Sequence, residues 1–175
     1  QIVKQLNPDR VIKAADGDYD PPSPGLPDSH MYNIWYNGHG LGLGELHKGY
    51  WQPVKPDWFF ACGEFGSEAL DSYEVIKKYW PKSWLPENEN DPWLPDKVAK
   101  AQTNRFHYMW YPTPVKLKDW IEASQDHQVW GTRLVTEAFR RDPRMMSFAI
   151  HLFIDAWPAG WMKSLMDVDR VPKKA

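Results

Sequence analysis

Glu64 is the residue whose setting most invites chemistry. It follows the apolar run Trp58-Phe59-Phe60-Ala61-Cys62 and lies between Gly63 and Gly66. A carboxylate at the end of a buried strand is mounted on a rigid element, and small neighbours let another backbone approach closely. Such a group can serve as nucleophile, general base or general acid. A salt-bridged or helix-capping glutamate in a loop would show the same local pattern. His39 and Asp155 also follow apolar segments, so three polar residues cluster just after strand ends.

Other chemistries fit the sequence less well. Asp16-Gly-Asp18-Tyr-Asp20 suggests a calcium loop, but Pro21 and Pro27 stand where such a loop needs Gly and Glu. No His-x-x-x-His pair exists, so no metal site is expected. The glycines at 38, 40, 42 and 44 miss the dinucleotide fingerprint, which needs glycine where Glu45 sits. A phosphate loop is absent, and no cofactor is expected. Gly66-Ser67-Glu68 lacks the second glycine of a serine nucleophile elbow. Cys62 is the single cysteine, so no internal disulfide can form.

The elements that must carry these residues read as short apolar strands and longer helices. Val11-Ile12-Lys13, His30–Tyr36, Trp58–Cys62 and Ser147–Ile154 read as strands. Residues 14–29 and 37–44 read as loops. The pattern Asp71-Ser-Tyr-Glu74 predicts a capped short helix with Val75, Ile76 and Tyr79 on its apolar face. Pro95 predicts the first position of a helix reaching about residue 110. A long helix is expected from about Asp119 to Arg141. Its apolar stripe would be Trp120, Ala123, His127, Trp130, Leu134 and Ala138. Strands apolar on both faces suit a parallel sheet covered by helices. Chemistry just beyond their C-terminal ends suits an α/β barrel.

Composition bounds the rest. The chain has 175 residues, net charge −2, 11 Trp and 16 Pro. A basic footprint for nucleic acid is missing. No apolar run approaches the ~20 residues that a spanning helix needs. Gln1 opens the chain without an initiator Met or signal segment, which reads as a start removed by processing or design; the compartment stays open, periplasmic and extracellular included. So many Trp must either fill a core or form a surface for the apolar faces of sugars.

The segment Cys62-Gly-Glu-Phe-Gly-Ser-Glu68 resembles the seventh barrel strand of glycoside hydrolase family 2, the β-galactosidase, β-mannosidase and β-glucuronidase group. Leu6-Asn-Pro-Asp-Arg10-Val resembles the approach to strand five, and Tyr32-Asn-Ile-Trp35-Tyr36 resembles strand six. Residues 155–173, with Asp155-Ala-Trp157-Pro158, resemble the end of strand eight and the segment after it. His151 stands where the β-mannosidase branch has Trp, and Ile154 where it has Asn.

The resemblance implies an α/β fold, the C-terminal half (about strands five to eight) of a (β/α)8 TIM barrel. Residues 1–175 would be a partial catalytic domain. The upstream half and flanking β-sandwich domains would lie outside the chain, as another chain or segment of the same enzyme. It implies a retaining exo-β-glycosidase acting on terminal β-linked sugars of oligosaccharides or glycosides. Glu64 would be the nucleophile, and the acid/base Glu would come from the upstream half; Asn88-Glu89 lies in a polar loop and reads as a decoy. Tyr32 would steady Glu64, with Tyr36 as the alternative. Trp35, Tyr36, His39, His151, Asp155 and Trp157 would shape the sugar pocket. The competing class is a non-catalytic carbohydrate-binding or scaffold protein with a degenerate barrel.

Overall fold

A computed structural model describes residues 2–9, 28–32, 34–35, 60–98, 103–156 and 162–175. The expected Val11–Lys13 strand, the glycine-rich loop, Tyr36, His39 and Trp157 lie outside these. After a short helix α1 (Ile2–Leu6) come strands β1 (Asp28–Met31) and β2 (Phe60–Phe65). Helix α2 (Tyr73–Tyr79), one α turn α3 (Thr103–Phe106), the long helix α4 (Leu117–Arg141) and strand β3 (Met145–Ile150) complete the order. The three strands form one parallel sheet in the order β1-β2-β3, as their apolar character predicts. Among the described residues the result is a small α/β fold with a three-stranded parallel sheet.

The register carries the most consequential detail. Asp28 and His30, two apart, pair with Ala61 and Glu64, three apart. On the other side Phe148 and Ile150 pair with Cys62 and Phe65 in the same ratio. Both slips bracket Gly63, so β2 carries one extra residue there. An extra residue shifts the alternation of side chains between the two faces. Cys62 and Phe65, three apart, therefore share one apolar cluster with Met31, Ile34, Val135 and Phe139. Glu64 is thereby released from the face that Cys62 occupies.

Strand ends differ from the sequence expectation in an instructive way. β1 ends at Met31, because Trp35 N–H turns back to bond Tyr32 O at 2.9 Å. β2 runs through Glu64 rather than stopping at Cys62. β3 stops at Ile150, because His151 N–H crosses to Phe65 O at 2.9 Å and the chain then leaves the sheet. β3 is also an outer strand with Met146, Ser147, Phe148 and Ala149 exposed.

The helices show similar adjustments. Ser72, not Asp71, caps α2 and accepts the Val75 N–H, because Asp71 is engaged elsewhere. Val75 and Ile76 are buried as expected. The helix expected from Pro95 is broken. Pro95 does open a turn, but Val98 is extended at φ −87°, ψ 115°.

α4 matches its predicted span to within two residues, with Arg140 and Arg141 in the last turn. Its buried face includes only part of the expected apolar stripe: Trp120 and Ala138 are fully buried and Leu134 packs against the core, but polar positions join them. Ser124, Gln125, Gln128 and Gly131 are buried, whereas Trp130 is exposed. The buried amides earn this place by hydrogen bonding. Gln128 Nε2 donates to Ser67 O and Lys163 O, both at 3.0 Å, and Gln125 Nε2 donates to Leu70 O at 3.0 Å. Ser124 Oγ accepts the Leu70 N–H at 3.0 Å. These bonds satisfy backbone groups of segments that leave the sheet, where no strand neighbour could.

Four of the tryptophans settle into a second apolar cluster: Trp80, Trp84, Trp93 and Trp120. Trp80 and Trp93 are stacked at 6.1 Å. Trp120 Nε1 donates to Trp93 O, and Trp93 Nε1 donates to Trp84 O. These two buried indole N–H groups thus have partners, as burial requires. Burying one such side chain contributes about 2 kcal/mol or more. For these four the tryptophan-core explanation of the composition holds.

Candidate active site

The C-terminal ends of the three strands lie level, since His30 pairs with Glu64 and Phe65 with Ile150. The residues just past those ends therefore converge on the Glu64 carboxylate. Tyr32 Oη donates to Glu64 Oε2 at 2.5 Å. His30 Nδ1 lies 3.3 Å from the same oxygen, and His151 Nε2 lies 3.8 Å from Oε1. Glu64 is about a quarter exposed (28% of its side chain), so it opens to solvent while held on three sides.

Each neighbour is fixed by the local fold. Tyr32 is buried and meets the Trp35 ring edge-on at 5.6 Å and His151 edge-on at 6.5 Å. The turn that carries Trp35 is pinned by α4. His127 Nε2 donates to Ile34 O at 2.9 Å, and burial keeps the His127 imidazole below its usual pKa, hence neutral. Gly131 lies so close to Ile34 that a Cβ would meet Ile34 Cδ1 at 2.6 Å. Gly66 has φ +151°, a conformation natural only to glycine, and a Cβ there would stand 3.0 Å from His151 O. The close backbone approach expected beside Glu64 is made at this glycine.

His151 is held below its ordinary pKa, first by burial and then by the positive charges of Lys163 and His30, against the pull of Glu64. It is a neutral imidazole at pH 7. Its Nδ1 is buried without a hydrogen-bond partner among the described residues.

Of the residues singled out from sequence, Glu64, Tyr32, Trp35 and His151 come together here. Asp155 does not join them. It is buried, accepting the Ser164 N–H at 3.0 Å and a bond from Lys173 Nζ at 2.5 Å. Lys173 also lies 3.0 Å from Asp71 and donates to Ala69 O at 2.9 Å. Asp155 thus helps tie the C-terminal segment to the chain after β2. Tyr36, His39 and Trp157 lie outside the described residues.

Two further residues of the site carry no sequence signal for it. By sequence His30 reads as the first residue of a strand, and only the register places it beside Glu64. Lys163 packs its ammonium 4.0 Å from the Trp35 ring centroid and 5.1 Å from that of Tyr32. No local sequence signal marks it. No group of three potential metal ligands occurs among the described residues. Among them, too, no helix is long and apolar enough to cross a membrane.

No protein-family model matches this chain, and no curated protein matches its sequence. Among solved structures, its fold matches that of the β-D-mannosidase from Dictyoglomus thermophilum. The TM-score is 0.61 at 18% identity, over 90% of this chain and 18% of that one. The chain therefore spans less than a fifth of the protein it matches, and the shared property is the fold: a parallel α/β segment like part of that larger glycosidase.

Proposed function

We propose that this chain is the part of a retaining β-glycosidase that carries the nucleophile, Glu64, within the C-terminal half of a barrel. The observation that carries the reading is the 2.5 Å bond from Tyr32 to Glu64 Oε2 at the C-terminal rim of parallel strands. A phenol that grips one oxygen orients the carboxylate and leaves Oε1, 3.8 Å from His151, as the attacking atom. Oε1 forms a bond to the anomeric carbon as the glycosidic C–O bond breaks. The leaving oxygen takes a proton from a second carboxyl group. The same group then removes a proton from water, which attacks the anomeric carbon and frees Glu64. That second group must stand about 5–5.5 Å from Glu64, and we assign it to the upstream half of the barrel.

Trp35 and His151 line the sugar pocket with His30, and Tyr36, His39 and Trp157 are proposed to complete it. The exposed outer face of β3, with Met146 and Phe148, supports a sheet that continues into further strands of the same enzyme. The substrate is a terminal β-linked sugar on an oligosaccharide or simple glycoside.

The test uses the full-length protein. Incubation with a 2-deoxy-2-fluoro β-glycoside followed by peptide mass spectrometry is expected to find the sugar on Glu64. Glu64→Gln is expected to abolish turnover of aryl β-glycosides. A label on another carboxylate, or a fully active Glu64→Gln enzyme, removes Glu64 from the chemistry.

A further inference from the structure

Lys163 is almost fully buried, yet its ammonium lies against two aromatic faces within the Glu64 site. Burial strips water from the ammonium. The ring faces of Trp35 and Tyr32 replace part of it, since each carries negative charge density. Its backbone is anchored as well, because Gln128 of α4 donates to Lys163 O at 3.0 Å. The lysine is therefore held from below by α4 and capped by the two rings.

We propose that Lys163 is a positioning residue for the Tyr32–Glu64 pair, seating both rings by cation–π contact and drawing charge from the phenol so that its O–H donates more strongly to the carboxylate. Tyr32 is the shared member of both contacts: its ring meets the ammonium and its hydroxyl meets Glu64. The catalytic consequence rests on the reading of Glu64 as nucleophile, whereas the electrostatic link between Lys163 and Glu64 does not.

Among the described residues, the carboxylates acting on Lys163 are those of Glu64 and Glu68. Glu64 of β2 and Glu68 just beyond it raise its proton affinity, while burial outweighs both and lowers its pKa to about 8. His151, after β3, is itself pushed toward the neutral form by Lys163 and by His30 of β1. At pH 7 Lys163 is an ammonium. Above about 8 it loses its proton, and the neutral amine no longer attracts the ring faces.

Two readouts on the full-length protein test this. The first needs no turnover: lysines are acylated with limiting acetic anhydride from about pH 6 to about pH 11 and quantified peptide by peptide. Lys163 is expected to titrate near 8, and at a lower value in Glu64→Gln. Titration at the ordinary lysine value of about 10.4, or the same value in both proteins, overturns the link. The second compares Lys163→Met and Lys163→Arg. Met is expected to lower kcat about tenfold at neutral pH with KM little changed, and to remove the parent's decline in activity above about pH 8; Arg is expected to keep most of kcat. A Met variant with the parent's kcat and pH profile overturns the positioning role. Absence of 2-fluoro sugar labelling in the parent points instead to failure of the nucleophile reading, and the acylation result then decides on Lys163 alone.

Discussion

His30 and Glu64 are register partners on adjacent parallel strands, and His30 Nδ1 approaches the same carboxylate oxygen that Tyr32 grips. One oxygen of Glu64 thus receives two neighbours and the other receives one, at longer range. The asymmetry is what a nucleophile needs: an anchored atom and an available one.

Removal of the anchor should cost catalysis without costing the fold. Tyr32→Phe deletes only the hydroxyl that bonds Glu64. A hydrogen bond to a charged group contributes about 1.5–3 kcal/mol, so kcat/KM is expected to fall about 10- to 150-fold. Steady-state kinetics and far-UV circular dichroism together check this. Parent-like kinetics in a folded variant would show that the phenol does not orient Glu64.

Gly66 is expected to tolerate no side chain. At φ +151° and with His151 O 3.0 Å from the position of a Cβ, Gly66→Ala combines backbone strain with a clash. The expected loss of stability is about 1–3 kcal/mol. Thermal melts measure it, and a Tm equal to that of the parent would refute it.

Gln128 joins three carbonyls of two segments through one amide, Ser67 O, Lys163 O and Ser164 O. Gln128→Leu keeps the volume but strands buried acceptors, at a cost of about 1–3 kcal/mol. Because Lys163 O is one of them, the variant is expected to lose activity beyond its loss of stability. Urea unfolding combined with kinetics on the folded fraction separates the two effects.

Asp71 should make stability depend on pH. Burial raises its pKa to about 7, with Lys173 opposing and Asp155 reinforcing the rise. A raised carboxyl pKa means that the folded state binds the proton more tightly than the unfolded chain. This contribution is complete below the unfolded value of about 3.8 and fades as pH rises through 7. The expected result is a Tm contribution from Asp71 that declines between pH 4 and pH 7, and a flatter Tm profile in Asp71→Asn. An unchanged slope in Asp71→Asn would place the titration elsewhere. Asp155→Asn, which leaves Lys173 with Asp71 alone, is expected to destabilise at every pH in that range.

Much of this is legible in the sequence, and the gaps have physical causes. The apolar runs around Phe60 and Phe148 point to the parallel sheet, and the span of α4 comes from its periodicity. The polar part of its buried face does not, because hydropathy cannot tell a glutamine in water from one bonded to three carbonyls. Counting alternate residues sets Glu64 on the same face as Cys62; only the extra residue at Gly63 undoes that, and a bulge shows itself in pairing, not in composition. Asp155 resembles a pocket residue by sequence because it trails an apolar strand. Its partner Lys173 lies near the far end of the chain, and no local pattern links the two.

The stack of Trp80 on Trp93 has a practical consequence. Two indoles in fixed contact couple their excited states, giving a near-ultraviolet dichroism signal and quenched emission that vanish when the rings separate. That optical signature belongs to the second apolar cluster, which does not include Glu64 or its contacts. It offers a built-in gauge of folding that stays readable in every variant whose catalysis has been switched off.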